Sequence, residues 1–247
     1  MIVALSGGVD SSVVAALAYR ALAERALAVT INSPLTTSED LRCASSVAKY
    51  IGINHMVVEL NELEIMGFQN NPPERCYLCK SYRFEKLRNL ANERGFRYIA
   101  DGTTIDDLGE HRPGLKAGRE LGVYSPLIEA EMKKEDVLIA AECLGLPITD
   151  RSHNSCLATR VPYGSELTIP RLKRIDEAEQ YLHSLIKPMD LRVRDHGQII
   201  RLELDKAGLA CVMDDSNSTQ VVNKLKELGF KYITVDLELY RFGSFDK

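Results

Sequence analysis

The sequence predicts an α/β protein in which a parallel, doubly wound sheet is followed by a second, smaller α+β domain. The first observation is that strand-like and helix-like segments alternate over residues 1–146. The second is a change of pattern after Pro147, where a polar, proline-containing stretch leads into a helix and alternating strands. The third is an ordinary globular composition, 45% hydrophobic and 27% charged over 247 residues, which is enough chain to bury a core.

The elements of the first domain follow one another as strand and helix. Short apolar runs indicate buried strands, and apolar residues repeating every three to four positions indicate helices. The predicted strands are 1–5, 26–31, 55–60 and 96–103. The predicted helices are 11–25, 38–52, 77–95 and 133–146. This alternation predicts a parallel sheet covered on both faces, with ligands bound beyond the carboxyl ends of its strands.

The remaining chain has a different organisation. Residues 147–170 are polar and contain prolines, which is typical of a linker or an active-site segment. The elements predicted after it are a helix over 171–186, strands around 191–205, a helix near 218–229 and a strand over 231–238. We therefore divide the chain into a first domain at 1–150, a linker at 151–164 that carries Cys156, and a small α+β domain at 165–247.

Charge and hydropathy argue against several classes of protein. The net charge of -4 provides no overall attraction to nucleic acid, and residues 171–247 hold thirteen Lys and Arg against thirteen Asp and Glu. No apolar stretch approaches the roughly 18 residues of a membrane helix. The amino terminus has no signal-peptide pattern. We expect a cytoplasmic protein that does not bind membranes, and we consider nucleic acid an improbable partner.

The stretch VALSGGVDSSVV, residues 3–14, has the features of an anion-binding turn between a strand and a helix. Gly7 and Gly8 let the backbone turn and approach an anion closely. The helix that follows adds unpaired N–H groups and the positive end of its dipole. The hydroxyls of Ser6, Ser11 and Ser12 are further donors.

Asp10 has two candidate roles in this turn. Its carboxylate suits a magnesium ion, or it caps the next helix, whose start Asp10 and Ser11 are expected to mark. The Lys-Ser or Lys-Thr ending of a Walker A loop is absent, so the turn is not a kinase-type phosphate loop. The structural alternative is a common glycine-rich turn with a capping aspartate.

Two further groups are candidates for the same edge of the sheet. Asp101, Gly102 and Thr103 end the predicted strand at 96–103 and suit a phosphate or magnesium contact, with a plain turn as the alternative. Arg112 lies in the segment HRPG, and its guanidinium offers a fork of donors to a phosphate group.

Three of the six cysteines form a candidate metal site. Cys76 and Cys79 are spaced to present both sulfurs to one metal at the start of a helix, and Cys156 lies in the polar linker. Three thiolates can hold three irons of a [4Fe-4S] cluster and leave the fourth iron open. Half a zinc site, a redox pair and interior thiols are the alternatives for the CxxC pair. The remaining cysteines are assigned to the interior or to structural roles: Cys43, Cys143 and Cys211.

The hexamer SGGVDS resembles the PP-loop of the ATP pyrophosphatase superfamily, whose members bind the pyrophosphate of ATP and adenylate a substrate. Four segments also resemble, in the same order, one branch of that superfamily. They are PPERCYLCK (72–80), DGTTIDDLGEHRPGLKAGRELGVYSPL (101–127), SCLATRVPYG (155–164) and LGFKYITVDLELYRFGS (228–244). The branch comprises ATP-dependent sulfur transferases that convert carboxylates of a pyridinium mononucleotide to thiocarboxylates, on the way to the nickel-pincer cofactor of lactate racemase.

The resemblance implies a set of roles for residues of this chain. It implies an adenylating enzyme that uses ATP and Mg²⁺, acts on a small-molecule nucleotide and forms a homo-oligomer, with a hexamer as one candidate assembly. The implied ATP and pyrophosphate contacts are Ser6, Gly7, Gly8, Asp10, Ser11, Ser12, Asp101, Gly102, Thr103 and Arg112. The implied substrate contacts are Arg160, Arg192 and Arg194, and Glu203 is an implied ligand of a divalent ion. By itself, the arginine pair at 192 and 194 is more typical of a solvated strand face.

Two sulfur sources are known in that branch. Members with only the cysteine that matches Cys156 give up its own sulfur, whereas members with the additional pair use a cluster. The presence of Cys76 and Cys79 places this chain with the second kind. The rival functions are a tRNA thiolation enzyme with the same loop and cluster, an ammonia-using adenylating ligase, and a nucleotide sensor without turnover.

Overall fold

The structure is a computed structural model that describes residues 1–109, 113–147, 155–188 and 190–241. The chain folds as two units. The first comprises Met1–Phe68 and Pro73–Thr149, and the second comprises Gln69–Pro72 and Asp150–Lys247. Each unit contains its own β-sheet.

The first unit is built on a parallel sheet of four strands. The strands are β1 (Ile2–Ala4), β2 (Leu27–Asn32), β3 (Asn54–Glu59) and β4 (Ile99–Ala100). Their order in the sheet is β3-β2-β1-β4, and all three pairings are parallel. The helices are α1 (Val9–Leu22), α2 (Ser38–Ile51), α3 (Arg75–Arg94), α4 (Pro113–Glu120), α5 (Pro126–Glu129) and α6 (Lys134–Cys143).

Helices cover both faces of this sheet. Successive strand residues point to opposite faces, so neighbouring positions contribute to different cores. Val3 and Ala28 pack with buried residues of α1, α2 and α6. Ile2 and Leu27 pack with the buried residues of α3. The predicted doubly wound parallel fold is therefore confirmed.

The start of α1 differs from the prediction. The helix begins at Val9, its N-cap is Gly8, and no side chain caps it. Capping, one of the two candidate roles of Asp10, is therefore wrong. Gly8 has an extended backbone and begins the helix early, which leaves Asp10 inside the first turn with its carboxylate available for another partner.

The hydropathy-based expectations have different outcomes. No helix in the described part of the chain has the length and apolar composition needed to cross a membrane.

The interior position predicted for Cys143 is wrong, because this residue is exposed. It lies at the end of α6, whose buried positions are Val137 and Ala141. Cys43 and Cys211 are half-buried.

The second unit is a small α+β structure, also as predicted. Its strands are β5 (Leu191–Asp195), β6 (Ile199–Leu204) and β7 (Tyr232–Val235), and its helices are α7 (Ile169–Ile186), α8 (Lys206–Val212) and α9 (Asp215–Glu227). The strand order is β5-β6-β7, with β5 antiparallel and β7 parallel to β6. The helix α8 was not predicted. Asp205 caps it by accepting a hydrogen bond from the Gly208 backbone N–H.

A short segment from earlier in the chain belongs to this second unit. The Asn71 side-chain amide donates to the carbonyls of Val161 and Pro162 at 2.9 and 3.0 Å. The Leu167 N–H donates to the Gln69 carbonyl at 2.8 Å. Asn71 is fully buried, so residues 69–72 are an integral part of the second unit.

The turn after β4 lies directly against the start of α1. A Cβ atom on Gly102 would lie 2.5 Å from the Ser11 nitrogen and 2.8 Å from the Asp10 carbonyl carbon. Because β4 is the neighbour of β1 in the sheet, the chain segments that follow the two strands meet at one edge. Glycine at position 102 allows this backbone contact.

We expect Gly102→Ala to lower the free energy of unfolding by about 1–3 kcal/mol, because the added methyl group overlaps backbone atoms that cannot move independently. Gly109→Ala is a matched control, since no atom of the described residues lies within 4 Å of the equivalent Cβ position. We expect the control to change stability by less than about 0.5 kcal/mol. Urea unfolding followed by circular dichroism measures both, and equal stability of the two variants would contradict the steric argument.

Candidate active site

The turn after β1 is held together by its own serines. The Ser11 hydroxyl accepts a hydrogen bond from the Ser6 backbone N–H at 3.1 Å and donates to the Gly8 carbonyl at 3.0 Å. The Ser12 hydroxyl donates to the same carbonyl at 2.8 Å. Ser11 and Ser12 are buried, whereas Ser6 and Gly8 are exposed. In this structure the inner serines shape the turn, and its outer residues face solvent.

The first turn of α1 supplies a group of backbone donors. The first hydrogen bond of the helix runs from the Ser12 N–H to the Gly8 carbonyl at 3.1 Å. The N–H groups of Val9, Asp10 and Ser11 precede it, so they have no acceptor within the helix. Together with the positive end of the helix dipole, they make the turn suitable for a phosphate group.

Gly7 cannot be replaced without moving the neighbouring helix. Its φ angle of +86° lies in the left-handed region that favours glycine, and a Cβ atom would lie 2.5 Å from the Asp40 carbonyl oxygen. The turn is therefore packed directly against the backbone of α2.

Asp10 forms an ion pair that the sequence did not indicate. Both of its carboxylate oxygens lie 2.6 Å from the Lys134 Nζ atom, and both side chains are partly exposed. Lys134 is the first residue of α6, and its backbone N–H donates to Asp106 at 2.6 Å. A lysine at the first position of a helix is disfavoured by the helix dipole. That placement is the one signal in the sequence that could have identified Lys134.

Asp101 uses its carboxylate to shape the turn after β4. One oxygen accepts from the Thr103 N–H at 3.2 Å and the Ser125 hydroxyl at 2.7 Å, and the other accepts from the Thr103 hydroxyl at 2.7 Å. The turn thus brings Asp101, Gly102 and Thr103 to the start of α1, as expected for one site. Arg112 lies outside the described residues, and its role stays a prediction.

The CxxC pair lies on the first two turns of α3. Residues three apart on a helix share a face, so Cys76 and Cys79 can address one metal ion. Cys76 is exposed and Cys79 is half-buried, with its thiol 3.8 Å from a Glu62 carboxylate oxygen. Within the described ranges, no three Cys, His, Asp or Glu side chains are grouped closely enough to hold a metal. In donor chemistry and spacing, the pair fits two of the three thiolates that a cluster with one open iron requires.

Cys156 belongs to the second unit, where it begins a short helical turn. Its carbonyl accepts hydrogen bonds from the Thr159 N–H and hydroxyl at 3.0 and 2.7 Å and from Arg160 at 3.2 Å. The Arg160 guanidinium also contacts the Ser155 carbonyl. Arg160 therefore holds the backbone around Cys156 in place, and the Cys156 side chain remains partly exposed.

The three arginines predicted as substrate contacts are buried. A solvated strand face, which was the alternative for Arg192 and Arg194, is therefore wrong. Arg160, Arg192 and Arg194 are 0%, 4% and 4% exposed. Arg160 forms two hydrogen bonds with Glu179 at 2.9 and 3.0 Å. Glu203 pairs with Arg194 at 2.7 Å and, through its other oxygen, with an arginine at position 201 at 2.9 Å. Both faces of β5 are covered, so alternation along the strand does not expose either residue.

Among the described residues, this group comprises four arginines (Arg160, Arg192, Arg194 and Arg201) and three carboxylates (Glu179, Glu203 and Asp236), which leaves a net positive charge. Burial, followed by the charge of Arg160, lowers the pKa of Arg192. The Arg192 guanidinium lies 5.0 Å from the centre of the Tyr240 ring. Two of the three carboxylates, Glu179 and Glu203, are buried. The third, Asp236, lies 3.5 Å from Arg201. Such a group attracts an anion.

Known proteins share this architecture to different extents. The NAD synthase family model matches residues 1–82. An uncharacterised protein of Synechocystis is 39% identical over 246 residues, which is 100% of this chain and 91% of that protein. The pyridinium-3,5-bisthiocarboxylic acid mononucleotide synthase of Lactiplantibacillus plantarum is 36% identical over 244 residues, 98% of this chain and 87% of that protein. A glutamine-hydrolyzing GMP synthase component of Methanococcus maripaludis is 32% identical over 157 residues, 59% of this chain and 50% of that protein.

The match to the mononucleotide synthase decides the family, because it extends over both units. The chain belongs to the PP-loop family of ATP-dependent sulfurtransferases. The turn from Ser6 to Ser12 is the segment that resembles a PP-loop, and it lies within the residues matched by the NAD synthase family model. The predicted membership of the PP-loop superfamily and the predicted enzyme class are confirmed.

The structure groups the predicted site residues of this sulfurtransferase into three sets. The PP-loop and the turn at 101–103 meet in the first unit. Cys76 and Cys79 share α3 in the same unit. In the second unit the members are Cys156, Arg160, Arg192, Arg194 and Glu203.

Glu179 is the counter-charge of Arg160 in the arginine group, and its ionisation makes the free energy of unfolding depend on pH. Burial by itself raises the pKa of Glu179. The charge and hydrogen bonds of Arg160, together with the charge of Arg192 and the Val193 N–H, outweigh burial and hold that pKa below its ordinary value of 4.5. A carboxylate with a lowered pKa stabilises the fold above the unfolded-state value. This contribution is lost as the pH falls below about 4.5 and through the folded-state pKa.

We expect Glu179→Gln to destabilise the protein by about 3–5 kcal/mol near neutral pH, since it leaves the buried Arg160 without its counter-charge. The gap between wild type and variant should narrow as the pH falls below about 4.5. Glu177→Gln on the same helix is the control, because Glu177 forms an exposed pair with Lys173 at 3.8 Å worth about 0–1 kcal/mol. Urea unfolding across this pH range measures the effect, and a gap that does not change with pH would refute the assignment.

Proposed function

We propose that this enzyme adenylates a carboxylate of a pyridinium biscarboxylic acid mononucleotide and replaces it with a thiocarboxylate. The observation that carries the proposal is the match to the mononucleotide synthase over 98% of the chain. That match extends into the second unit, where the excess of buried arginine charge suits an anionic substrate. An ammonia-using ligase would not need the three cysteines on α3 and in the turn after residue 155.

The first step uses the PP-loop. A carboxylate oxygen of the substrate attacks the α-phosphorus of ATP, the bond from that phosphorus to the bridging oxygen breaks, and pyrophosphate leaves with the electron pair. The N–H groups at the start of α1 are already oriented toward the departing anion, so they stabilise its charge without reorganising. Asp10 supplies a carboxylate for a magnesium ion, which would neutralise phosphate charge when bound.

Lys134 exchanges partners in this step. In the structure its ammonium group is held by Asp10. When ATP and magnesium bind, the carboxylate turns to the metal and the ammonium turns to the phosphates. The ion pair thus keeps both groups charged and close to the PP-loop before the nucleotide arrives.

The second step transfers sulfur to the activated acid. A sulfur nucleophile attacks the acyl carbon, the bond from that carbon to the adenylate oxygen breaks, and AMP leaves with the electron pair. A [4Fe-4S] cluster on Cys76, Cys79 and Cys156 would supply sulfide at its open iron. In the alternative route, Cys156 attacks as a thiolate and forms a thioester. Loss of its Cα proton then breaks the Cβ–S bond, which yields the thiocarboxylate and dehydroalanine.

The buried arginines orient the substrate for both steps. Arg192 and Arg194 contribute the positive charge that would attract the phosphate and carboxylates of a mononucleotide. Arg160 holds the backbone of the turn that carries Cys156. Glu203 pairs with Arg194, which keeps that guanidinium in place, and its proposed metal contact would require it to leave one arginine. We also propose that the protein forms a homo-oligomer, for which a hexamer is one candidate and light scattering is the test.

We expect Lys134→Gln to weaken ATP binding about 10- to 100-fold, because the ammonium group that turns to the phosphates is lost together with its charged hydrogen bond. Lys133→Gln is the matched control, since Lys133 is the exposed residue immediately before α6. Calorimetric titration with ATP and magnesium measures both variants. Equal affinities for ATP in the two variants would contradict the proposed exchange of partners.

The sulfur source is tested by anaerobic reconstitution with iron and sulfide, followed by turnover and intact-mass measurement. With a cluster, we expect several turnovers, an unchanged protein mass, and loss of turnover in the Cys76→Ser and Cys79→Ser variants. With sacrifice of Cys156, a single turnover would remove one sulfur from the protein. If adding the mononucleotide to enzyme and ATP released no pyrophosphate, the proposed function would be wrong.

A further inference from the structure

A buried carboxylate lies beside the cysteine pair and has no role in the steps above. Glu62 begins the short helical turn Glu62–Glu64 that follows β3, and its side chain is 0% exposed. One of its oxygens, Oε1, accepts a hydrogen bond from the Arg83 Nε at 2.6 Å and from the Cys79 thiol at 3.8 Å. A single carboxylate oxygen therefore joins a guanidinium to a candidate metal-binding sulfur.

The second carboxylate oxygen of Glu62 makes no such contact with the described residues. Oε2 is buried and has no hydrogen-bond partner among the residues that the structure describes. Buried polar atoms are nearly always paired, and a buried ion pair contributes little net stability compared with apolar residues of similar size. Stability alone does not account for a half-used carboxylate at this position.

The guanidinium that holds Glu62 reaches the ligand edge of the sheet. Arg83 donates through Nη2 to the hydroxyls of Ser33 and Thr36 at 2.9 and 3.4 Å. Ser33 directly follows β2, and the carboxyl ends of parallel strands form the ligand-binding edge. A chain of contacts thus runs from the end of β2 through Arg83 and Glu62 to Cys79.

We propose that Glu62 is a positioning residue that holds the Cys79 sulfur in the orientation needed to bind iron together with Cys76. The Cys79 thiol donates to the carboxylate, and Arg83 fixes the carboxylate. The proton that the thiol must lose to bind iron therefore has an acceptor already in contact. Partners that orient metal ligands typically change metal affinity by about 10- to 100-fold when they are removed. The inference deepens the proposed function and rests on it for the identity of the metal, whereas the contact with Cys79 does not depend on that identity.

The test compares Glu62→Gln with Glu64→Gln, a control in the same turn whose side chain is exposed. In Glu62→Gln, the amide oxygen that faces Arg83 and Cys79 carries no charge, so Cys79 keeps only a weaker acceptor that cannot take up its proton. The first measurement is iodoacetamide alkylation of the metal-free protein, with peptide mass spectrometry giving the rate at Cys79 relative to Cys76. The second is iron bound per chain, and the visible absorbance of the cluster, during anaerobic titration with iron and sulfide.

We expect the Cys79-to-Cys76 alkylation ratio to rise about five-fold in Glu62→Gln, because a neutral acceptor replaces a charged one and holds the Cys79 thiol less firmly. We expect iron binding to weaken by about 10- to 100-fold in that variant and to stay at the wild-type level in the control. If Glu62→Gln does not fold, Glu62→Asp withdraws the carboxylate by one methylene but keeps the charge for Arg83, and the same directions are expected.

Two results would overturn the proposal. An alkylation ratio equal to that of the wild type would show that Glu62 does not hold Cys79, and wild-type iron affinity in Glu62→Gln would show that this contact does not serve the metal. If the wild-type protein itself takes up no iron, the proposed cluster is wrong and so is the iron role of Glu62. The alkylation ratio would still decide whether Glu62 positions the Cys79 sulfur.

Discussion

The backbone contact between the turn after β4 and the first turn of α1 is the constraint on which the proposed ATP site depends. Gly102 lets the two chain segments approach until only backbone separates them. The same approach places the carboxylate of Asp101 and the N–H groups of α1 at one edge of the sheet. A larger residue at 102 would push the helix start outward, and the donors that face an anion would move with it.

Charge is organised differently in the two units. In the first unit, Asp10 and Lys134 neutralise each other beside a set of oriented N–H dipoles. This arrangement suits a site through which magnesium, ATP and pyrophosphate pass, because each bound ion can take over one member of the pair. In the described part of the second unit, four arginines lie among three carboxylates, which suits the anionic substrate proposed for this site.

The two segments that carry the cysteines of the proposed sulfur chemistry are each held by an ion pair. Cys79 is held by Glu62, which is held in turn by Arg83. The turn that begins at Cys156 is held by Arg160, which is anchored on Glu179. In both places an ion pair with a buried carboxylate restrains the segment that carries a partly exposed thiol. A reactive sulfur must stay accessible to its reaction partner, so the residues that hold it in place have to lie on its buried side.

The sequence by itself determined the parallel sheet, the PP-loop and the CxxC pair, because each depends on periodicity or spacing within one short segment. Only the tertiary structure decided that Lys134 pairs with Asp10 across 124 positions of chain, that Arg192 and Arg194 are buried, and that Glu62 meets Cys79. The structure also shows that α1 begins at Val9 with Gly8 as its N-cap, which excludes the capping role that was one of two candidates for Asp10. Local patterns cannot specify such contacts, because ion pairs and burial depend on which distant segments the fold brings together.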